Sequence, residues 1–264
     1  MDGTAPLAID LYAGLGGWTA GLLTEGWRVV GFDIERHVYG DHCYPAQLVV
    51  QDVLTLDGAQ FCDADLIVAS PPCQFFSYTA MPWSRAKALA ADVRASPERL
   101  EKELALFNAC FRIQREACEA AGRHIPLVVE NVKGAQPWVG RARWNFGSYY
   151  LWGDVPALMP PIHIAGEQAG VKQHGSGHAW FDKALDQRRK NPGIKLSDIG
   201  FNVASTQKFG HMVEGVKIAR TAEDKRQHIG TKRKFASAMI AKIPFGLSRH
   251  VATVYHPRNR ITMP

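Results

Sequence analysis

An apolar run that ends in a glycine-rich turn decides the fold. The run and its turn read Leu7-Ala8-Ile9-Asp10-Leu11-Tyr12-Ala13-Gly14-Leu15-Gly16-Gly17. The mostly apolar first half predicts a short buried strand, and the glycines permit a tight turn into a helical stretch that extends to about Glu25. A strand, a glycine turn and a helix in this order are typical of the units that build α/β sheets.

Further strands and helices alternate after this unit. Apolar runs lie at residues 28–32, 48–50, 65–69 and 125–129. The clearest helix begins at Ser96-Pro97 and ends at Gly122. Its apolar face carries Leu100, Leu104, Phe107, Phe111 and Cys118. Near-continuous apolar strands that alternate with helices predict an α/β fold whose parallel sheet is covered on both faces.

The composition excludes several classes of protein. The 264 residues are 46% hydrophobic, which is enough for one large domain with a buried core. No apolar run reaches the ~18 residues of a membrane span, and the N-terminus lacks a signal-peptide pattern, so we expect a cytoplasmic protein. The five cysteines are too scattered to predict a disulfide framework or a zinc site.

Charge and hydrophobic periodicity differ between regions of the chain. Residues 1–153 carry 13 basic and 17 acidic side chains, whereas residues 154–264 carry 18 basic and 8 acidic ones. Residues 154–234 show little periodicity, and an apolar helical pattern returns in residues 235–264. We therefore predict three regions at these boundaries, with a basic surface that meets a polyanion in the later part of the chain.

Acidic side chains follow the second and third predicted strands. Asp33 ends the second strand, and Asp52 follows the third. The carboxyl ends of parallel strands form the ligand-binding edge of such a sheet. Either residue alone is more often a cap, and the glycine turn lacks the spacing of dinucleotide or triphosphate loops. Taken together, the turn and the two carboxylates predict a pocket for a nucleoside-like cofactor.

Reactive groups follow two other strands. Pro71-Pro72 forces an extended exit from the fourth strand and presents Cys73 at the edge of the sheet, where a thiolate could act as a nucleophile. A buried structural role is the usual alternative for a cysteine. Glu130 ends the fifth strand after an apolar run, which would desolvate its carboxyl group, raise its pKa and let it donate a proton.

Three motifs, at residues 10–17, 71–74 and 130–132, resemble in order the first, fourth and sixth motifs of the DNA (cytosine-5) methyltransferases. The short chain and residues 237–244 are similar to the compact, phage-type members. The resemblance implies a Rossmann-like S-adenosylmethionine-dependent methyltransferase sheet. It assigns residues 1–153 to catalysis, residues 154–234 to a small basic target-recognition region, and residues 235–264 to a segment that returns to the catalytic domain.

The resemblance also implies roles for individual residues. The catalytic group is Cys73, Glu130, Arg143, Arg141, Gln74 and Asn131. The residues that would bind S-adenosylmethionine, which becomes S-adenosylhomocysteine, are Leu11, Tyr12, Ala13, Gly14, Gly16, Gly17, Asp33, Ile34, Asp52, Val53 and Pro72. The residues that would bind double-stranded DNA are Ser77, Arg188, Arg189 and Lys190. Cys73 would attack C6 of a flipped-out cytosine, and Glu130 would act at its N3.

The chain departs from the family pattern at two places. Arg141 and Arg143 keep the spacing of the family's Gln-x-Arg-x-Arg motif but lack its Gln and follow Glu130 closely. Lys242 stands where the family's late motif has an Asn. His174 and His178 favour a phosphate-contacting loop over a metal pair, so no metal is expected.

Alternatives of other kinds stay open. An amino-methyltransferase would carry an aromatic residue after the diproline, so Cys73 argues against it. A cytosine-5 methyltransferase that acts on RNA could have the same core residues, and a catalytically silent DNA-binding relative could retain them too. We expect a monomer that methylates cytosine in DNA, in the cytoplasm of a bacterial host if the chain is encoded by a phage.

Overall fold

A computed structural model describes residues 5–77, 83–158, 235, 238–239 and 241–259, with the backbone alone at residues 83, 85, 86 and 89. The strands are β1 (Leu7–Leu11), β2 (Arg28–Asp33), β3 (Val38–Tyr39), β4 (His42–Cys43), β5 (Gln47–Val50), β6 (Leu66–Ala69), β7 (Leu127–Asn131), β8 (Trp144–Phe146) and β9 (Tyr149–Gly153). The helices are α1 (Gly17–Thr24), α2 (Trp83–Ala95), α3 (Pro97–Ala121), α4 (Gln136–Val139) and α5 (Phe245–Tyr255).

Seven of these strands form one sheet in the order β5-β2-β1-β6-β7-β9-β8. The first five in this order are parallel to one another, as predicted. The sheet is mostly parallel, and at one side β9 runs antiparallel to both β7 and β8. Gly147, with φ of 58°, lies in the tight connection between β8 and β9 and lets the chain reverse there without a crossover helix.

The helix predicted from its caps is confirmed. α3 begins after Ser96, whose side chain accepts a hydrogen bond from the Arg99 amide at 3.3 Å, and Pro97 occupies the first turn. It ends at Gly122, which adopts the left-handed conformation with φ of 62°. Ser96 pairs with a free amide at the start of the helix, and Gly122 adopts the left-handed conformation that ends it. The residue types at both ends therefore predict the helix boundaries.

Apolar side chains bury both faces of the sheet. Successive residues of β7 alternate, because Leu127 and Val129 belong to the cluster that packs under α3, whereas Val128 belongs to the cluster under α1 and α5. The prediction that both faces are covered is therefore confirmed, and β7 is buried along its whole length.

The late helix α5 packs on α1. A Cβ atom at Gly21 of α1 would lie 2.3 Å from the Arg249 amide nitrogen, so the two helix backbones approach closely. Leu247 and Val251 of α5 are fully buried in the shared cluster. Glu25 at the end of α1 accepts hydrogen bonds from the Arg249 side chain at 2.8 Å and from Arg258 at 2.9 Å. Chain regions far apart in sequence thus support the same glycine turn.

The small hairpin β3–β4 was not predicted from the sequence. Tyr39 pairs with His42 across a two-residue turn at Gly40, which has φ of 60°. The strands have two residues each and are largely exposed, so they carry no apolar periodicity. The Gly-Asp pair at residues 40–41 was the available signal, since such pairs favour tight hairpin turns.

Most of the predicted recognition region, including His174 and His178, lies outside the described residues. Within the described ranges, no helix has the length and apolar character needed to cross a membrane.

Candidate active site

The glycine turn lies at the carboxyl end of β1, the central strand of the five parallel ones. β1 ends at Leu11 because Tyr12 adopts φ of 60°, a left-handed conformation that is unusual for a residue with a side chain. The Tyr12 hydroxyl donates a hydrogen bond to the Leu106 carbonyl of α3 at 2.7 Å. The Gly14 amide donates to the Asp33 carboxylate at 2.8 Å, which joins the turn to the end of β2.

A cavity of about 460 Å³ opens beside this turn. Its lining includes the predicted cofactor residues Tyr12, Ala13, Gly14 and Gly17, together with Gln74 from the predicted catalytic group. Sequence reasoning missed the other lining residues, which are Leu15, Trp18, Glu35, His37, Tyr39, Ser70, Ala238, Ala241, Lys242 and Ile243. The turn, the β2–β3 connection and the segment before α5 thus enclose one space.

The other predicted cofactor residues do not line this cavity. Leu11 at the end of β1 and Gly16 in the turn are buried, and Pro72 is exposed after β6. Ile34 is 70% exposed at the end of β2, which leaves a face free for stacking. Asp52 caps a short 3-10 turn by accepting a hydrogen bond from the Leu54 amide at 2.9 Å. Val53 in that turn is buried. Their binding roles remain predictions.

Asp33 has a structural role whether or not it binds a ligand. Its second carboxylate oxygen lies 3.2 Å from the Glu35 amide and 3.6 Å from the ring nitrogen of His37. Each carboxylate oxygen can accept more than one hydrogen bond, so these contacts leave capacity for a ribose hydroxyl.

The wall opposite β2 comes from the segment before α5. A Cβ atom on Gly17 would lie 2.3 Å from the Ile243 amide nitrogen, so only glycine permits this approach. The Tyr149 hydroxyl of β9 donates a hydrogen bond to the Lys242 carbonyl at 3.3 Å. Lys242, which departs from the family pattern, therefore lies at the cavity as a half-buried residue.

The Cys73 segment is held on both sides. The Trp18 indole of α1 donates a hydrogen bond to the Ser70 hydroxyl at 2.9 Å. The Asn131 amide at the end of β7 donates to the Pro71 carbonyl at 2.9 Å. The Ser77 hydroxyl donates to the Cys73 carbonyl, also at 2.9 Å. The diproline exit from β6 is thus fixed between α1 and β7, and Cys73 itself is half-buried.

Glu130 is the fourth residue of β7, one residue before the strand ends, and lies opposite Leu151 of β9. Its side chain is 2% exposed, so its carboxyl group is removed from bulk water as the sequence predicted. β7 is the direct neighbour of β6, and Val129 pairs with Ala69 at the strand ends. Cys73, which follows β6, and Glu130, near the end of β7, therefore lie at the carboxyl ends of adjacent strands.

Arg141 and Arg143 lie between α4 and β8. Both are exposed, and the Arg143 amide donates a hydrogen bond to the Leu151 carbonyl at 2.9 Å. Leu151 of β9 pairs with Glu130 of β7, so the Arg143 backbone lies at the level of Glu130 in the sheet. A catalytic role for the two arginines stays a prediction.

A buried polar network supports the turn from below. Asp10 of β1 is 1% exposed and accepts a hydrogen bond from the Thr19 hydroxyl at 2.6 Å. The Tyr44 hydroxyl lies 2.6 Å from the same Thr19 oxygen. Burial raises the pKa of Asp10 to about 7, although the Thr19 hydrogen bond opposes the shift. The sequence signal was an acidic residue inside an otherwise apolar strand.

Of the four predicted DNA-binding residues, Ser77 alone belongs to the described part of the chain. Ser77 is half-buried in the Cys73 segment, whereas Arg188, Arg189 and Lys190 lie outside the described residues. Among the residues that the structure describes, no group of three or more His, Cys, Asp or Glu side chains could hold a metal ion.

Residues 7–87 match the sequence model of the C-5 cytosine-specific DNA methylases. This match confirms the predicted resemblance over a segment that holds the glycine turn and Cys73. Glu130 and the later regions lie beyond the matched segment. A search of curated proteins by sequence found no match.

Several solved structures are similar to parts of the chain. Dnmt2 methyltransferase from S. pombe is 17% identical, with 52% of this chain and 37% of that chain covered and a TM-score of 0.32. A putative DNA modification methyltransferase encoded within an E. coli prophage is 22% identical, with 50% and 33% covered and a TM-score of 0.31. Entamoeba histolytica methyltransferase EhMeth is 12% identical, with 90% and 96% covered and a TM-score of 0.40. The matched regions span 37% and 33% of the first two structures.

Proposed function

We propose, taking the cytosine-5 methylase match of residues 7–87 as the premise, that this protein methylates C5 of cytosine in double-stranded DNA. The observation that carries the proposal is that the matched segment contains both the glycine turn and Cys73. The strands that precede them, β1 and β6, pair directly, with Leu11 opposite Ala69. A cofactor at the turn and a base at Cys73 would therefore be neighbours.

The cavity is compatible with S-adenosylmethionine. Its volume of about 460 Å³ lies within the range of small-molecule pockets. Tyr12, Ala13, Gly14 and Gly17 would hold the cofactor through backbone approach, and Asp33 has oxygens left for a ribose. When bound, this cofactor supplies an electrophilic methyl group on a sulfonium. Ile34, Asp52 and Val53 would form the adenine side of the site.

The side chains of this protein would activate the base. The Cys73 thiolate adds to C6 of cytosine, and the Glu130 carboxyl group donates a proton to N3, so the electron pair of the C5–C6 double bond becomes available at C5. C5 then takes the methyl group as the bond between methyl and sulfur breaks. Loss of the C5 proton to solvent expels the Cys73 thiolate, and the N3 proton returns to Glu130.

The rest of the chain would bring the substrate to these groups. A cytosine inside a duplex cannot reach Cys73, so it must be flipped out at a cost of a few kcal/mol. We assign that binding to the basic region 154–234, including Arg188, Arg189 and Lys190, and to Ser77. Residues 1–153 would carry the chemistry, and residues 235–264 would complete the cofactor site.

Base-resolution mapping of modified cytosine tests the proposal. The full chain is incubated with S-adenosylmethionine and, in separate reactions, duplex DNA or transfer RNA, and the nucleosides are identified by mass. We expect 5-methylcytosine in DNA at a defined sequence. Modification of transfer RNA alone would identify an RNA enzyme, and no modification of either would favour a silent relative. Both of these results would overturn the proposal.

Duplex DNA that contains 5-fluorocytosine tests the covalent step separately. Fluorine at C5 cannot leave as a proton does, so the bond between Cys73 and C6 should persist. We expect a covalent protein–DNA complex whose linked peptide contains Cys73. Tight binding of this DNA without a covalent product would contradict attack at C6.

A further inference from the structure

Five aromatic rings run in a continuous series from the surface into the core. The ring of Trp138 on α4 lies 4.9 Å from that of Phe75, and Phe75 lies 5.2 Å from Phe76. Phe76 lies 6.3 Å from Phe107 of α3, which lies 5.4 Å from Trp152 of β9. The outer rings, Phe75 and Trp138, are half-buried, whereas the inner three are buried.

Both ends of the series are anchored. The Trp152 indole donates a hydrogen bond to the Gly140 carbonyl at 2.9 Å, immediately after α4. At the outer end, the Arg94 guanidinium of α2 lies 4.9 Å over the ring of Trp138. Trp138 is therefore in contact with both the Arg94 cation and the Phe75 ring.

The series connects the two segments that carry the proposed chemistry. Phe75 lies two residues after Cys73, in the tight turn that the Phe76 amide closes on the Cys73 carbonyl at 3.0 Å. Trp138 lies on the stretch that leaves β7 after Glu130 and passes through the buried Ala135. The ring contact thus adds a second bridge to the one that Asn131 makes with the Pro71 carbonyl.

We propose that Trp138, through Phe75, is a positioning residue that holds the Cys73 turn in register with Glu130. One bridge between two segments leaves rotation about that contact, whereas bridges on both sides of Cys73 fix its direction. Reaction rates depend steeply on such alignment. This role rests on the proposed function for its purpose, but the restraint on Cys73 is a property of the fold.

Trp138→Ala tests the restraint without relying on activity. Each cysteine is alkylated with iodoacetamide under native conditions, and the rates are measured by peptide mass spectrometry. We expect Cys73 to react several-fold faster in the variant because its turn is released. The exposed Cys43 should keep its rate, and the fully buried Cys110 should stay protected in a folded chain. Trp144→Ala, at a tryptophan that is 51% exposed on β8, is the matched control and should change nothing.

The same variants are compared in methyl transfer. Trp138→Ala should lower kcat by roughly tenfold or more while cofactor affinity stays unchanged, and Trp138→Phe, which keeps a ring against Phe75, should restore much of it. An unchanged Cys73 alkylation rate, or a loss of cofactor affinity in step with kcat, would overturn the proposal.

Unfolding of the variant and an inactive wild-type chain are distinguished from the positioning role by the same measurements. If Cys110 is alkylated too, the variant has unfolded, and Phe75→Leu, which keeps apolar volume without the ring pair, replaces it with the same expected results. If the wild-type chain transfers no methyl group, the proposed function fails, whereas the alkylation rates still decide the positioning role.

Discussion

At the scale of single residues, Cys73 is the group on which the proposed chemistry depends most. Cys73→Ala removes the sulfur that would bond to C6, so methyl transfer should fall by at least about a thousandfold. Cofactor binding, measured by calorimetry, should persist because Cys73 does not line the described cavity. Cys43→Ala, at an exposed cysteine of β4, is the control. Undiminished transfer by Cys73→Ala would exclude the mechanism.

Glu130 should show its role in the rate of the chemical step. Glu130→Gln keeps the size of a side chain that is 2% exposed but cannot exchange a proton with N3. We expect single-turnover rates to fall by about a hundredfold or more. A rate within a few-fold of wild type would show that N3 is protonated by another group.

Asp10 makes stability depend on pH. Burial raises its pKa from 3.8 to about 7. Between about pH 4 and about pH 7, the folded chain keeps a proton that the unfolded chain has released, so the free energy of unfolding falls as the pH rises. In Asp10→Asn this contribution, about 1 kcal/mol per pH unit, should disappear.

Urea unfolding across this pH range measures the Asp10 effect. The amide of Asp10→Asn still offers an oxygen to Thr19, so the network can persist. Asp63→Asn, at an exposed carboxyl group, should leave the wild-type pH dependence intact. Parallel curves for wild type and Asp10→Asn would show that Asp10 titrates outside this range.

At the scale of elements, the contact between α1 and α5 makes a sharp prediction. Alanine favours a helix over glycine by up to about 1 kcal/mol. At Gly21, however, the new Cβ atom would lie 2.3 Å from the Arg249 amide and 2.3 Å from the Ser248 hydroxyl. Overpacking of this kind costs about 1–3 kcal/mol, so Gly21→Ala should lower the free energy of unfolding. Leu23→Ala, at an exposed position of α1, is the control, and a stabilised Gly21→Ala would show that the helices separate without cost.

The sequence predicted elements well where a local pattern determined them. Ser96, Pro97 and Gly122 are sufficient to delimit α3. The apolar runs located the five parallel strands, four of which are mostly buried, whereas β5 at the edge is only partly buried. The exposed hairpin β3–β4 has no such pattern, and the apolar residues of β9 do not show that it runs antiparallel. Their pairing depends on turns at Gly40 and Gly147 and on neighbours elsewhere in the chain.

The candidate site was predictable in part for the same reason. The glycine turn and Cys73 lie in contiguous motifs at strand ends, where position follows from topology. Trp18 and Lys242 come to the cavity through tertiary packing of α1 and of the segment before α5, which no local pattern encodes. The ring contact between Phe75 and Trp138 depends likewise on two segments that meet only in the folded chain.

At the scale of the whole molecule, the uneven charge predicts how DNA binding responds to salt. Replacement of Arg188, Arg189 and Lys190 by alanine should weaken binding to all DNA sequences alike. It should also reduce the slope of log affinity against log salt by up to about 3, near 0.9 for each phosphate that the protein no longer neutralises.

Fluorescence titration at several salt concentrations checks the salt dependence. The control replaces Lys102 and Arg115, exposed basic residues of α3, and should leave the slope unchanged. Cofactor affinity should stay the same in both variants. An equal slope in wild type and the triple variant would place the DNA-binding cations elsewhere.

The close approach of Gly17 to Ile243 also bears on how the protein is made. The first helix finds its partner only after some 225 further residues, the separation across the hydrogen bond from Trp27 to Ala252. Such long-range contacts form late and slow the folding of a chain. On the ribosome, the glycine turn therefore emerges early, but its cavity lacks a wall until the segment before α5 has been synthesised. The nascent chain should gain affinity for the proposed cofactor only after residues 241–255 have emerged, so that cofactor binding reports the docking of this segment.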